Sequence, residues 1–219
     1  MLISIRPYSP EDRASVHRIA ADTAFFGDPV EAYLDDRRLF CDAFYAYYTD
    51  FEPQHGWVAC EGEQVVGFLA GSTDATRQRQ VFFTRILPIL LRRLAKGEYY
   101  LGKRTWRYIA AVGKGFLGRE FTHANLRQYP AHLHVNVASG WRGHGLGRRL
   151  IESYLDQLRE LGLSGVHLST SSENRAACAL YEKMGFRLLD SRPTHLWNNF
   201  FSHPIENRCY GLKLSQVRG

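Results

Sequence analysis

The stretch Ser139-Gly140-Trp141-Arg142-Gly143-His144-Gly145-Leu146-Gly147-Arg148-Arg149-Leu150 decides how the rest of the chain is read. It packs four glycines and three arginines into a dozen residues. Before it, Ala131–Val137 (AHLHVNV) alternates apolar and polar residues, the period of a half-buried strand. After it, Leu146, Leu150, Ile151, Tyr154, Leu155, Leu158 and Leu161 repeat at helical spacing until Gly162 stops the run. A strand, a glycine-rich turn and a helix start form an anion site. The first N–H groups of a helix lack internal partners, and the helix dipole adds positive potential there. Glycine allows positive φ and a close backbone approach. A phosphate or pyrophosphate is the natural occupant, with Arg142, Arg148 and Arg149 adding charge.

The spacing Arg142-x-x-Gly145-x-Gly147 by itself arises by chance about 0.17 times in a chain of this composition. Its place between a strand and a helix therefore carries the weight, against the plainer reading of a tight turn with solvated arginines. No Gly-Lys-Ser/Thr follows, so it is not a P-loop, and Arg148 stands where a dinucleotide fingerprint needs a small residue. Further on, Asn174 and Tyr181 stand nearly two helical turns apart and share one face, with Ala177 and Cys178 between them. Asn offers donor and acceptor to an amide-bearing ligand, and Tyr a phenolic proton. Taken alone, this segment also reads as an ordinary amphipathic helix.

Outward from these elements, the chain of 219 residues suits one domain. The opening LISIRPY reads as a strand, and Ser9-Pro10-Glu11-Asp12 as a helix start. Helices are expected across 10–24 and near 34–51, and a hairpin about Glu61-Gly62-Glu63. After the glycine stretch come a strand (GVHLST), the Asn174 helix and two final strands. The order is β, α, α, β, β, insertion, β, α, β, α, β, β, a mixed α/β (α+β) domain. Residues 73–130 form the insertion, with helix-like patterning and a kink or stop expected at Pro88. They hold twelve Lys/Arg and three Asp/Glu, so the net charge of +6 originates there. No apolar run is long enough to span a membrane and the N-terminus has no signal-peptide pattern. Cys41, Cys60, Cys178 and Cys209 are far apart without metal-ligand spacing; free thiols in a cytoplasmic protein are expected, and no metal.

Together, Arg142-Gly143-His144-Gly145-Leu146-Gly147, the following helix and strand, Asn174 and ALYEKMGF resemble the GNAT family of acyl-CoA N-acyltransferases. Val137, five residues before Arg142, fits the family's V-x-x-x-x-R-G-x-G-x-G spacing. The resemblance is close over 131–187 and extends in element order to the whole chain apart from the insertion. It implies a central sheet of six to seven strands, splayed at an acetyl-CoA site. It implies that the backbone from Arg142 through Gly143, His144, Gly145, Leu146 and Gly147 to Arg148 holds the coenzyme A pyrophosphate. Backbone groups near Val135 and Val137 would bind the pantetheine arm, Asn174 and Ala177 would contact the coenzyme, and Tyr181 would protonate the leaving thiolate. The reaction implied is transfer of an acetyl group from acetyl-CoA to a small-molecule or peptide amine. The alternative is an acetyl-CoA-binding interaction domain without catalysis.

A base is less evident. His132 and His134 alternate on the strand facing the gap, and a histidine near its ordinary pKa of about 6.5 suits the role. Both also suit packed structural positions. Some relatives carry a glutamate where this chain has Ser169. Glu31, Asp28 or a water chain are the remaining sources. FFGDP, RPTHLW, Phe25, Phe26 and Trp197 are expected to border a partly apolar acceptor pocket. The insertion loosely resembles a helical excursion in the acetyltransferase-like domain of O-GlcNAcase and its bacterial relatives. It is expected to pack as helices and shape the acceptor pocket. Nucleic acid is not the expected partner, and a homodimer is left open.

Overall fold

The computed structural model describes residues 3–214. Its elements are β1 (Ile3–Pro7), α1 (Arg13–Asp22), α2 (Arg37–Phe44), β2 (Gly56–Glu61), β3 (Gln64–Ser72), α3 (Ala75–Val81), α4 (Leu87–Ala95), α5 (Lys103–Leu117), β4 (Ala131–Val137), α6 (Leu146–Glu160), β5 (Gly165–Ser171), α7 (Arg175–Lys183), β6 (Arg187–Thr194) and β7 (Ile205–Lys213). This is the expected order; Leu2, at the head of the expected first strand, lies outside the described residues. Ser9 and Asp12 form a reciprocal capping box with Pro10 in the first turn, and α1 runs on from it. Gly62 turns the β2–β3 hairpin at φ 56°.

The seven strands form one sheet in the order β1-β2-β3-β4-β5-β7-β6. Only β4 and β5 run parallel, and they pair only at Ala131 with Val166 and His132 with His167. From Leu133 onward the two strands part. β4 stays paired along its length with β3, and β5 with β7, so the gap opens inside an otherwise continuous sheet. Its orientation follows from one bond. The Ala138 N–H donates to Val66 O (2.9 Å), so even-numbered residues of β4 turn their backbone groups toward β3. The N–H and C=O groups of Leu133, Val135 and Val137 therefore face the gap.

A hydrophobic layer covers each face of the sheet. α1, α2 and part of the insertion pack on one face around Ile19, Val30, Phe40, Tyr45 and Phe68. α6 and α7 cover the other. Six of the seven residues in the α6 stripe are buried as the spacing predicts; Leu161, beyond the helix end, is exposed. The side chains of β4 divide between these layers, Leu133, Val135 and Val137 with α6, Asn136 with Thr23 at the end of α1, and His132 with Tyr48 in the turn after α2.

The insertion is helical and docked. Pro88 does not end its first helix. A wide turn over Phe82–Ile86 intervenes, in which the Leu87 N–H reaches Phe82 O, and Pro88 falls in the first turn of α4, where a missing N–H costs little. Asp35 accepts from the N–H and hydroxyl of Thr105 (2.9 and 3.0 Å), and Tyr99 donates to the buried Asp42 (2.7 Å). Past α5, buried Glu120 accepts from the Thr194 hydroxyl (3.0 Å) and the His195 N–H (2.8 Å), tying the insertion to the end of β6.

Candidate functional site

The glycine loop delivers its N–H groups to a cleft of about 460 Å³ between β4, α6 and α7. Gly143 (φ 80°) and Gly145 (φ 74°) hold left-handed conformations, the second as the residue that starts α6. The first backbone bond to close is from Arg149 N–H to Gly145 O. The six N–H groups from Gly143 to Arg148 donate no hydrogen bond among the described residues. Six unpartnered donors in a row at a helix start form a nest that leaves room for an anion to accept from them.

The arginines are less free than expected. Arg142 lines the cleft, but its Nε donates to Val137 O (3.2 Å) and its NH2 to Gly27 O (2.9 Å), so it ties the loop to the α1–α2 connection. That takes the Val137 carbonyl and leaves its N–H facing the gap. Arg148 lines the cleft and pairs with Glu152 (2.7 Å), while Arg149 donates to Ile3 O (3.0 Å). The His144 ring turns back on the loop, its Nδ1 3.0 Å from Arg142 O, so only its N–H belongs to the nest.

Asn174, Ala177 and Tyr181 line the opposite wall on α7. Asn174 starts that helix, yet its side chain caps nothing and makes no other hydrogen bond among the described residues. Tyr181 is buried, and burial pushes its phenol pKa up, which keeps the proton in place at neutral pH. Asn136, Val135, Asn174 and Tyr181 also line a second pocket of about 420 Å³ that continues through the gap between β4 and β5. The two are one passage, crossing the sheet where its strands part, with Tyr181 at the junction.

The far pocket is walled by Phe26, Tyr33, Tyr45, Tyr108, Phe121 and Trp197, with Thr23, Thr122, His134, Asn136, Ser169 and Asn207 as its polar edge. Phe26 and Trp197 are the aromatics expected there; Phe25 packs against Trp197 behind them (centroids 5.6 Å). Tyr108, Phe121 and Thr122 come from the insertion. Phe26 holds φ 51°, unusual for a bulky residue, in the tight turn before Gly27. Asn136 donates to the Thr23 hydroxyl (2.7 Å), which donates to Ile19 O (2.7 Å). Thr23 and Tyr45 carried no signal in the sequence, because helix ends acquire a function only from what they face.

The two histidines separate. His132 does not line the pocket. Gln78 donates to the Tyr48 hydroxyl (2.7 Å), whose proton then points at His132 Nδ1 (3.1 Å), and burial pushes the His132 pKa well down. It is a packed residue at the end of a hydrogen-bonded chain from α3. His134 does line the pocket, with no side-chain partner among the described residues, but burial and the nearby His167 lower its pKa to about 4. The expectation of a base near 6.5 therefore fails for both. Glu31 and Asp28 line neither pocket, and Glu31 is held by Arg37, which lowers its pKa. Among the described residues, no carboxylate lines the passage.

Comparison with known proteins bears on this geometry. A sequence model of the acetyltransferase (GNAT) family matches residues 23–186. Mycothiol acetyltransferase from Nocardiopsis dassonvillei is 46% identical over 57 residues, which are 26% of this chain and 17% of that protein. The chain thus spans only a small part of that curated relative's length. Among solved structures, the one described as SsHAT is 28% identical, with a TM-score of 0.73 over 98% of this chain and 100% of the other. The putative acetyltransferase yncA from Salmonella typhimurium, solved with its cofactor acetyl-CoA, shares the fold at 15% identity, with a TM-score of 0.57 over 100% of this chain and 98% of its own.

Proposed function

The chain belongs to the GNAT family of acetyltransferases, and on that premise we propose that it transfers an acetyl group from acetyl-CoA to a primary amine, as a single cytoplasmic domain carrying residues 73–130 as an insertion. The observation that carries this reading is the run of six free N–H groups opening into a passage that leads along β4 to Tyr181. The nest and Arg148 suit the pyrophosphate. The free edge of Val135 and the N–H of Val137 suit the amides of the pantetheine arm, beside Asn174 and Ala177. When bound, acetyl-CoA supplies the activated thioester.

The chain's own residues then position and protonate. The walls of the passage hold amine and thioester against each other, which alone accounts for much of the acceleration in such reactions. A backbone N–H of β4 would polarise the thioester carbonyl. Tyr181 keeps its proton until a thiolate develops beside it and donates it there, and the proton that the nitrogen sheds as the amide forms restores the phenol. His134, neutral at pH 7, accepts a hydrogen bond from the attacking amine. A base this weak does not strip an ammonium efficiently, so the acceptor enters uncharged. With aromatic walls and neutral polar edges, the far pocket suits a small-molecule or peptide amine with an apolar body.

Calorimetric titration with acetyl-CoA, followed by thiol release over a panel of amines, polyamines, peptides and amino sugars, tests this. Saturable binding and amine-dependent thiol release are expected. Binding without release on any amine would favour a silent acetyl-CoA-binding domain. No binding would overturn both.

A further inference from the structure

Nine of the fourteen large hydrophobic side chains exposed among the described residues lie between Phe83 and Leu117, so the bare apolar surface is concentrated on the insertion. α5 shows the pattern most clearly. At about 100° per residue, Trp106, Ile109, Phe116 and Leu117 fall on one arc, with Lys103, Arg107 and Lys114 on the arc beside it. Gly115 is buried on the opposite side, and buried Thr105 bounds the apolar arc at its edge beside Phe116. Trp106 is 58%, Phe116 69% and Leu117 89% exposed. Lys103, Arg107 and Lys114 make no ion pair or side-chain hydrogen bond among the described residues. α4 repeats the composition, exposing Ile89, Leu91 and Leu94 beside Arg92, with exposed Lys96 just past its end.

The three acids of the insertion are all occupied. Asp74 caps α3, Glu98 pairs with Arg38 and Arg93, and Glu120 holds Thr194 and His195. The free charge beside the apolar arc is therefore all positive. We propose that the inserted helices dock the protein onto an anionic phospholipid bilayer, lying in its surface rather than spanning it. Apolar and tryptophan side chains beside a basic stripe are what an interfacial helix needs: the first enter the acyl boundary and the second meets the headgroups. Charge complementarity argues against a second copy of the chain, since two such faces repel. The aliphatic residues argue against nucleic acid. Bases stack on Trp106 or Phe116, but Ile89, Leu91, Leu94, Ile109 and Leu117 would stay in water.

The test is co-sedimentation of the full chain with vesicles of phosphatidylcholine, plain or carrying about a third phosphatidylglycerol. We expect binding about tenfold or more tighter to the anionic vesicles, weakened by salt. Combining Trp106→Ser, Phe116→Ser and Leu117→Ser should weaken it by about tenfold or more while leaving acetyl-CoA binding unchanged. In the unaltered protein, brominated lipid should quench tryptophan fluorescence, and Trp106→Phe should remove that quenching. This measurement decides even if the triple variant folds poorly. Equal partitioning to both vesicles, or to neither, overturns the proposal. So does a dimer in sedimentation velocity that the triple variant dissolves, or binding of duplex oligonucleotide that the triple variant retains without vesicle binding.

Discussion

At the scale of single residues, Tyr181 and His134 carry the sharpest consequences. Tyr181 reaches the junction of the two pockets from α7, with its proton held in place by burial. Tyr181→Phe keeps the ring and removes the proton, so kcat should fall by about a hundredfold or more with acetyl-CoA affinity nearly unchanged. An unchanged kcat in stopped-time thiol release would remove the role. His134 behaves differently because its pKa is lowered to about 4 by burial and by His167. Protonation of His134 cannot then shape activity between pH 6 and pH 8. The rise of kcat/KM with pH should instead follow the amine's own pKa, moving when one acceptor is exchanged for another of different basicity. A limb fixed near pH 6.5 for every acceptor would show a histidine base after all. Tyr181 was legible in the sequence because a helical period fixes its face. The histidines were legible as a pair on one side of a strand, but not as one in the pocket and one outside it. That difference depends on Tyr48 and Gln78, which are remote in sequence.

At the scale of elements, the loop and the β3–α6 contact are where backbone geometry is least forgiving. Gly145 starts α6 at φ 74°, a conformation that disfavours any side chain, so Gly145→Ala should cost about 1 kcal/mol in urea unfolding. β3 lies against Tyr154 of α6 so closely that a Cβ on Gly71 would stand 2.5 Å from the ring and 2.7 Å from His55 O. Tyr154 in turn donates to Ser72 O (2.9 Å). Gly71→Ala should therefore destabilise by about 1–3 kcal/mol through overpacking. Combined with Tyr154→Leu, which makes room, the two costs should add to less than their sum in a double-mutant cycle. Strict additivity would show that the glycine is there for another reason. The sequence predicted that the helix stripe would be buried. It held no sign of the Gly71–Tyr154 fit, since residues so far apart meet only through the sheet.

At the scale of the whole molecule, buried histidines link stability to pH. Burial lowers the pKa of His17 and His134 to about 4, and that of His132 and His167 in the same direction. A folded pKa below the unfolded value near 6.5 means that the unfolded chain binds more protons. Stability should thus be full above about pH 6.5 and fall as the pH drops from there toward about 4. Buried carboxylates such as Asp12, with its pKa lowered by Arg6, add to the loss only at lower pH, near and below the ordinary carboxylate range. Urea midpoints measured at pH 7, 6 and 5 should decline steadily, and His17→Gln should flatten the decline if it folds as well as the parent at pH 7. A midpoint level from pH 7 to pH 5 would contradict the burial of these rings.

By itself, the sequence determined the order of the elements, the glycine nest at the start of α6 and the shared face of Asn174 and Tyr181. These are local features, set by hydrophobic period and by the freedom of glycine over a few consecutive residues. Only the tertiary structure decided that β4 and β5 part after two residue pairs, that Arg142 closes onto Gly27 instead of standing free, and that the insertion supplies Tyr108, Phe121 and Thr122 to the far pocket. Each of these depends on segments distant along the chain being brought together, and on which backbone groups the sheet leaves unpaired. Side-chain burial decides the rest, since a histidine's charge is fixed by the layer that covers it and not by its neighbours in sequence.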